Sequence, residues 1–222
     1  MLKDNYKNIL LFDFETTGLS YQNDRIIEIG AILLERQEPS MQYKIKKELS
    51  LLIKQDKPLP DKIVEITNIT DDMLNEHGVS EAEAFNLFHD LVDDKCLMVA
   101  YNIQFDYGFL TALYRRMLNN PYYEIKNDLL DVMAIYKDRF PFPHKLDNAV
   151  SQYKIEIPNT HRALDDIKAT FLVLVEMIKE RDSIDKYINV IGYNPKYGVS
   201  GLKASHVTYV PQYGNRLEIE RR

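Results

Sequence analysis

Residues 9–18 read Ile9-Leu10-Leu11-Phe12-Asp13-Phe14-Glu15-Thr16-Thr17-Gly18, a continuous apolar run that closes in two acids and a turn. A short apolar run interrupted by Thr-Thr-Gly predicts a buried strand passing into a loop. Side chains alternate along a strand, so Asp13 and Glu15 share one face at its carboxyl end. Hard, oxygen-seeking cations such as Mg²⁺ take carboxylates brought together with room for waters and phosphate oxygens, and a same-face acid pair on a rigid strand supplies half of that. Alone, the pair is weak: in a chain with 28% charged residues Asp-x-Glu arises by chance, and an exposed strand end explains it equally well.

Two further acid motifs lie downstream. Asp106 follows the apolar stretch Cys96 to Ala100 and precedes Gly108, Phe109, Leu110, Leu113 and Tyr114, which have helical spacing. That places it at a strand-to-helix junction, where a lone acid is ordinarily explained by the helix dipole and Asn102 by a cap or turn. In His161-Arg162-Ala163-Leu164-Asp165-Asp166 helical periodicity separates the two adjacent acids. Asp166 shares a row with Ala163, Thr170, Val173 and Leu174 and borders the buried side, whereas Asp165 lies with Lys168, Ala169 and Glu176 and reads as solvated. His161 stands at or just before the first turn of that helix. A lone histidine there is usually structural; the three acid motifs around it raise its odds.

The ordered set Asp13-x-Glu15-Thr16-Thr17-Gly18, Asn102-x-x-Phe105-Asp106 and His161-x-Ala163-x-x-Asp166 resembles the DEDDh family of 3′→5′ exonucleases. The likeness covers roughly residues 8 to 180 and is greatest to the proofreading epsilon subunits and exonuclease domains of bacterial DNA polymerase III, in FDFETTGLS, DRIIEIGAIL and HRALDD. The resemblance implies a ribonuclease H-like α/β fold with a mixed central sheet flanked by helices. It implies Asp13, Glu15, Asp106 and Asp166 as ligands of two divalent metal ions, Mg²⁺ or Mn²⁺, with His161 as general base. Thr16, Gly18, Leu19 and Phe105 fall where the family touches the terminal nucleotide. The implied reaction is two-metal hydrolysis of the last phosphodiester, releasing nucleoside 5′-monophosphates. Two departures stand out: Tyr101 where relatives commonly have histidine, and Thr67-Asn68 where glycine is frequent.

Composition fits one catalytic domain. A chain of 222 residues with 45% hydrophobic content can bury a single good core. The net charge of −6 is unusual for a nucleic-acid binder, since phosphate contacts call for a basic surface. Bound metals would offset the acid cluster, and Arg115, Arg116, Lys137, Arg139, Lys145 and Arg162 are local positives able to track a strand, although a solvated helix face explains most of them. The single cysteine, Cys96, excludes an intrachain disulfide and reads as buried packing in a reducing compartment. The polar N-terminus MLKDNYKN and the lack of any stretch near the ~20 apolar residues of a membrane helix lead to the expectation of a cytoplasmic protein, neither secreted nor membrane-inserted.

Periodicity and breaks predict strands over 9–15, 25–35 and 43–53 as a meander, then helical pieces over 61–65, 71–76 and 81–92. A strand over 96–100, a helix carrying Phe109 and Leu113, a short strand and helix over 128–136, and a helix over 145–153 follow. Asp131 is tempting as a fifth ligand but is better read as a helix-start acid. The exonuclease domain is expected over 1–183. Residues 184–222, with Tyr187, Tyr193, Tyr197, Tyr209 and Tyr213 among Gly192, Gly198, Gly201 and Gly214, form an extension expected to pack on it rather than to stack bases.

Three functions remain open. The leading one is a DNA 3′→5′ exonuclease of proofreading or repair, acting on a single-stranded or frayed 3′ end, with DNA favoured over RNA and a DNA polymerase as partner in a separate chain. The second is an RNA 3′-end trimming exoribonuclease, because the same acids act on either sugar. A non-catalytic nucleic-acid or polymerase-binding module fits the full acid set poorly.

Overall fold

The computed structural model describes residues 6–157 and 162–222. Strands β1 (Asn8–Thr16), β2 (Ile26–Gln37) and β3 (Gln42–Leu52) form successive antiparallel pairs, while β4 (Leu97–Ala100) and β5 (Leu129–Asp131) add in parallel on the other side of β1. The sheet order is therefore β3-β2-β1-β4-β5. Short links suit the hairpins, and the parallel additions require crossovers, which the helices supply. Three short helices, α1 (Asp61–Thr67), α2 (Asp71–His77) and α3 (Glu81–His89), lie between β3 and β4. Helix α4 (Ile103–Met117) links β4 to β5, and α5 (Val132–Arg139), α6 (Leu146–Gln152) and α7 (Ala163–Glu180) follow. This is the mixed-sheet α/β architecture of the ribonuclease H-like fold.

The unbroken apolar run of β1 reflects burial on both faces. Leu10, Phe12 and Phe14 point to one side, into a core shared with Phe88 of α3 and Phe109, Leu110 and Leu113 of α4. There Phe88 packs edge-on against both Phe12 and Phe14, with ring centroids 5.9 and 5.8 Å away. Ile9 and Leu11 point to the other side, where Ile167, Val173, Leu174 and Met177 of α7 cover them. Strand alternation puts Asp13 and Glu15 in the same row as Ile9 and Leu11, so the acids emerge under the first turns of α7.

Several element boundaries differ from the periodicity by a few residues: β2 runs on to Gln37 and α5 to Arg139, and the ends of α1 and α3 also move. Helix α1 runs on to Thr67, and Asn68 closes it with φ 56°. Glycine adopts that left-handed geometry freely and asparagine next most readily, which accounts for Asn68 at the helix end. Helix α3 stops at His89, and 92 is reached through tight turns in which the Leu91 and Val92 amides donate to Phe88 O and His89 O.

Residues 184–222 contribute a 3₁₀ turn (Ile184–Tyr187) and a two-stranded parallel ribbon of β6 (Val190–Tyr193) and β7 (Thr208–Pro211). Ile188 bridges to Leu130 of β5, and Ile184, Tyr187, Ile191, Val210 and Ile219 are buried. Fully buried Asp138 is the anchor. Its carboxylate accepts from Tyr187 OH at 3.0 Å, Gln212 Nε2 at 2.9 Å, the Ile219 amide at 3.0 Å and the Glu220 amide at 2.9 Å. The adjacent Arg139, expected on a solvated face or along a strand, is instead buried and donates to Met177 O at 2.7 Å and Arg181 O at 2.9 Å. Cys96 is buried, as expected. Among the described residues no helix is long and apolar enough to cross a membrane.

Candidate active site

Asp13, Glu15 and Asp166 converge where β1 ends beneath the start of α7, with one carboxylate oxygen of each lying within 4.8 Å of the others. Asp165, half-buried one position earlier, is not in this group. The helical row through Ala163, Thr170 and Val173 carries Asp166 toward the sheet, in keeping with the periodicity. All the donors are carboxylate oxygens, the set that hard divalent cations prefer, and like charges held this close call for a counter-cation. The three acids thus make a cluster able to hold a divalent metal ion.

Two residues of β2 that sequence reasoning passed over fix this geometry. In the antiparallel register Gly30 stands opposite Asp13 and Glu28 opposite Glu15, so both face α7. A Cβ on Gly30 would lie 2.8 Å from the backbone carbon of Ala163 and 2.9 Å from its Cβ. Glycine at this position lets the first turn of α7 approach the sheet closely enough for Asp166 to reach the strand acids. Glu28, 1% exposed, accepts from Arg162 Nε at 2.9 Å and Nη2 at 2.5 Å, and from the Ala163 amide at 3.3 Å. It therefore caps α7 from the sheet, and Arg162 is engaged there. The legible signal was an acid inside the apolar run Ile26-Ile27-Glu28-Ile29.

Asp106 occupies the first turn of α4, buried, with Oδ1 accepting from the Phe14 amide at 3.2 Å. The turn before it is set by Asn102 in the left-handed conformation (φ 69°), whose amide donates to Asp131 Oδ1 at 3.0 Å. Asp131 also accepts from the Met133 amide at 3.0 Å and caps α5, the helix-start role expected of it. Tyr101 donates its hydroxyl to His144 O at 2.9 Å, a tie within the protein. In the loop after β1, Thr16 is buried and its hydroxyl donates to Gly18 O at 2.6 Å, while Asp24 accepts from the Ser20 amide at 2.8 Å and packs over Gly18. From this tied loop Leu19 projects, 87% exposed, across a cavity of about 240 Å³ that Phe105 and Asn102 also line. His161 lies outside the described residues.

Burial and mutual repulsion dominate the electrostatics. Desolvation, followed by the charges of Asp106, Glu15, Asp166 and Glu28, holds the Asp13 carboxyl well above its ordinary range. Burial, with Asp166 and Glu28 beside it and Arg162 opposing, pushes Glu15 up to about 7. Burial also raises Asp106, against the hydrogen bond from Phe14. Because folded Glu15 binds its proton more tightly than the unfolded chain, its contribution to stability is complete below the ordinary value of 4.5 and is lost as pH rises through about 7. We therefore expect the melting temperature in chelator to fall between pH 4.5 and above 7, Glu15→Gln to flatten that slope, and Mg²⁺ to restore the midpoint mainly at the alkaline end. A midpoint independent of pH and metal in scanning fluorimetry would contradict this account.

The family model described as RNase_T, exonuclease, matches residues 10–174. The chain belongs to this exonuclease family. The order of the acid motifs and the fold agree with that membership. The chain is 34% identical over 174 residues to DNA polymerase III PolC-type from Lacticaseibacillus paracasei, a match covering 77% of this chain and 11% of that protein. Against the Bacillus subtilis protein of the same name the identity is 33% over 175 residues, again 77% and 11%. The chain thus spans about a tenth of the length of these relatives. In fold it is similar to E. coli exonuclease I solved with single-stranded DNA and zinc (TM-score 0.69, 22% identity, 82% of this chain and 42% of that one). Exonuclease I from Methylocaldum szegediense is similar at TM-score 0.63 and 24% identity, covering 78% and 40% of the two chains.

Proposed function

We propose that this exonuclease removes nucleotides from the 3′ end of single-stranded or frayed DNA in proofreading or repair. The observation that carries the proposal is the convergence of Asp13, Glu15 and Asp166 where β1 ends beneath the start of α7. DNA is favoured over RNA because the relatives at 33–34% identity are DNA polymerases. A DNA polymerase partner and a cytoplasmic setting belong to the same proposal. So does a division into a catalytic domain over 1–183 and an extension over 184–222.

Asp13, Glu15, Asp106 and Asp166 would hold two divalent ions, Mg²⁺ or Mn²⁺, which supply Lewis acidity toward the phosphate and lower the pKa of a water. Leu19 and Phe105 grip the terminal nucleotide, and the tied turn at Thr16 and Gly18 keeps Leu19 in place. His161, as the general base, accepts the proton of the attacking water. The water oxygen bonds to phosphorus, the P–O3′ bond breaks, and a nucleoside 5′-monophosphate leaves a strand with a new 3′-hydroxyl. His161→Ala should lower kcat by roughly 10²- to 10⁴-fold, the usual worth of a general base, and leave the Mg²⁺-dependent rise in melting temperature intact. Wild-type rates in that variant would remove His161 from the mechanism.

The deciding assay follows mononucleotide release from matched 3′-labelled DNA and RNA oligomers with Mg²⁺, with Mn²⁺ and with chelator. Metal-dependent release mainly from DNA is expected. Release mainly from RNA would replace the proposal with 3′-end trimming, and no release from either would leave the acids as scaffolding.

A further inference from the structure

A second cavity, of about 190 Å³, adjoins the one rimmed by Leu19 and Phe105 and shares Asn102, Gln104 and Ser200 with it. Its far wall is the loop that follows β6. Gln104, one residue before Phe105, donates through Nε2 to Ser200 O at 3.0 Å and Leu202 O at 2.6 Å, and accepts at Oε1 from Tyr209 OH at 3.2 Å. The helical turn that presents Phe105 and Asp106 therefore also fixes the extension at the mouth of the cleft.

Two side chains give this cavity a chemistry. Lys137 of α5 lines it, and its ammonium makes no hydrogen bond or ion pair among the described residues; its closest opposing charge is the buried Asp131. Four of the other cations singled out in the sequence are already engaged: Arg115 with Tyr123 O, Arg116 with Glu81, Arg139 with Met177 O and Arg162 with Glu28. Tyr197, also on the lining, is 75% exposed, with Lys196 Nζ 5.2 Å from its ring centroid. An unpaired cation beside an exposed aromatic ring is the pairing with which proteins hold one phosphate and one base of a single strand without reading its sequence.

We propose that this cavity is the subsite for the nucleotide preceding the 3′-terminal one, with its phosphate on Lys137 and its base on the Tyr197 ring. The proposal rests on the exonuclease reading, with the terminal nucleotide between Leu19 and Phe105. It also gives a chain of net charge −6 a local grip on the strand.

The test compares Lys137→Met and Tyr197→Ala in the full chain on two substrates. Thymidine 5′-monophosphate p-nitrophenyl ester fills the terminal position and carries only a p-nitrophenolate leaving group in place of the preceding nucleotide, with neither its sugar, its nucleobase nor its phosphate, whereas a 3′-labelled oligothymidylate reaches the second cavity in full. Each variant should raise KM for the oligomer about ten-fold, in line with the loss of one stacked base or phosphate contact, and change kcat/KM for the ester less than two-fold. In an Asp13→Asn background, where no turnover interferes, each should weaken binding of fluorescein-labelled oligothymidylate by a similar factor. Equal losses on both substrates, or unchanged KM and binding for the oligomer, would overturn the subsite. A wild-type chain inert on both substrates would refute the exonuclease reading alone, and the binding titration would then judge the subsite.

Discussion

Asp13→Asn is expected to lower exonuclease turnover by more than about 10³-fold and, at the same time, to raise the melting temperature of the metal-free protein. Loss of an outer-shell partner of a metal ligand already costs 10- to 100-fold, and Asp13 is the strand residue most crowded by other acids. Burial and the charges of Asp106, Glu15, Asp166 and Glu28 all oppose its ionisation. An amide of the same shape removes that repulsion and one charge of the cation site together. Stabilisation in chelator should therefore coincide with loss of the metal-dependent rise in melting temperature, the trade expected where a site is built at the expense of the fold. The measurement is single-turnover mononucleotide release alongside melting curves with and without Mg²⁺. Turnover within ten-fold of wild type would show that Asp13 is not part of the machinery.

Asp138→Ala should have the largest effect on stability, about 3–5 kcal/mol in urea unfolding. The substitution leaves Tyr187 OH, Gln212 Nε2 and the amides of Ile219 and Glu220 without their acceptor, and Tyr187, Gln212 and Ile219 are buried. For a domain of this size that is roughly a 10 °C drop in melting temperature. Because Asp138 ties the last residues to α5, the segment over 184–222 should become sensitive to protease before the sheet unfolds. Asp138→Asn keeps an acceptor oxygen and should cost less than half as much. A loss under 1 kcal/mol for the alanine variant would mean that water satisfies these donors and that the network is not the anchor.

Much of the candidate metal site was readable because strand periodicity is short-range. An apolar run ending in Asp13-x-Glu15 specifies a buried strand and a shared face whatever lies around it, and helical spacing singled out Asp166 over Asp165 in the same way. Cations were harder to read. Arg139 looked like a solvated residue but is buried against backbone carbonyls, since a guanidinium's partners come from distant segments that one sequence does not align.

The sequence by itself determined the strand and helix faces and which acids could share a site, because these follow from periodicities of two and 3.6 residues and from residue chemistry; the class of hydrolase came from the resemblance of the ordered acid motifs to a known exonuclease family. Tertiary structure alone decided that Gly30 opens space for α7, that Glu28 caps that helix from the neighbouring strand, and that Gln104 and Asp138 hold the extension against the cleft and α5. Each of those contacts joins residues at least 74 positions apart, apart from the tie of Asp138 to Tyr187 at 49. Distances of that kind are fixed by packing against the sheet, which no local pattern encodes.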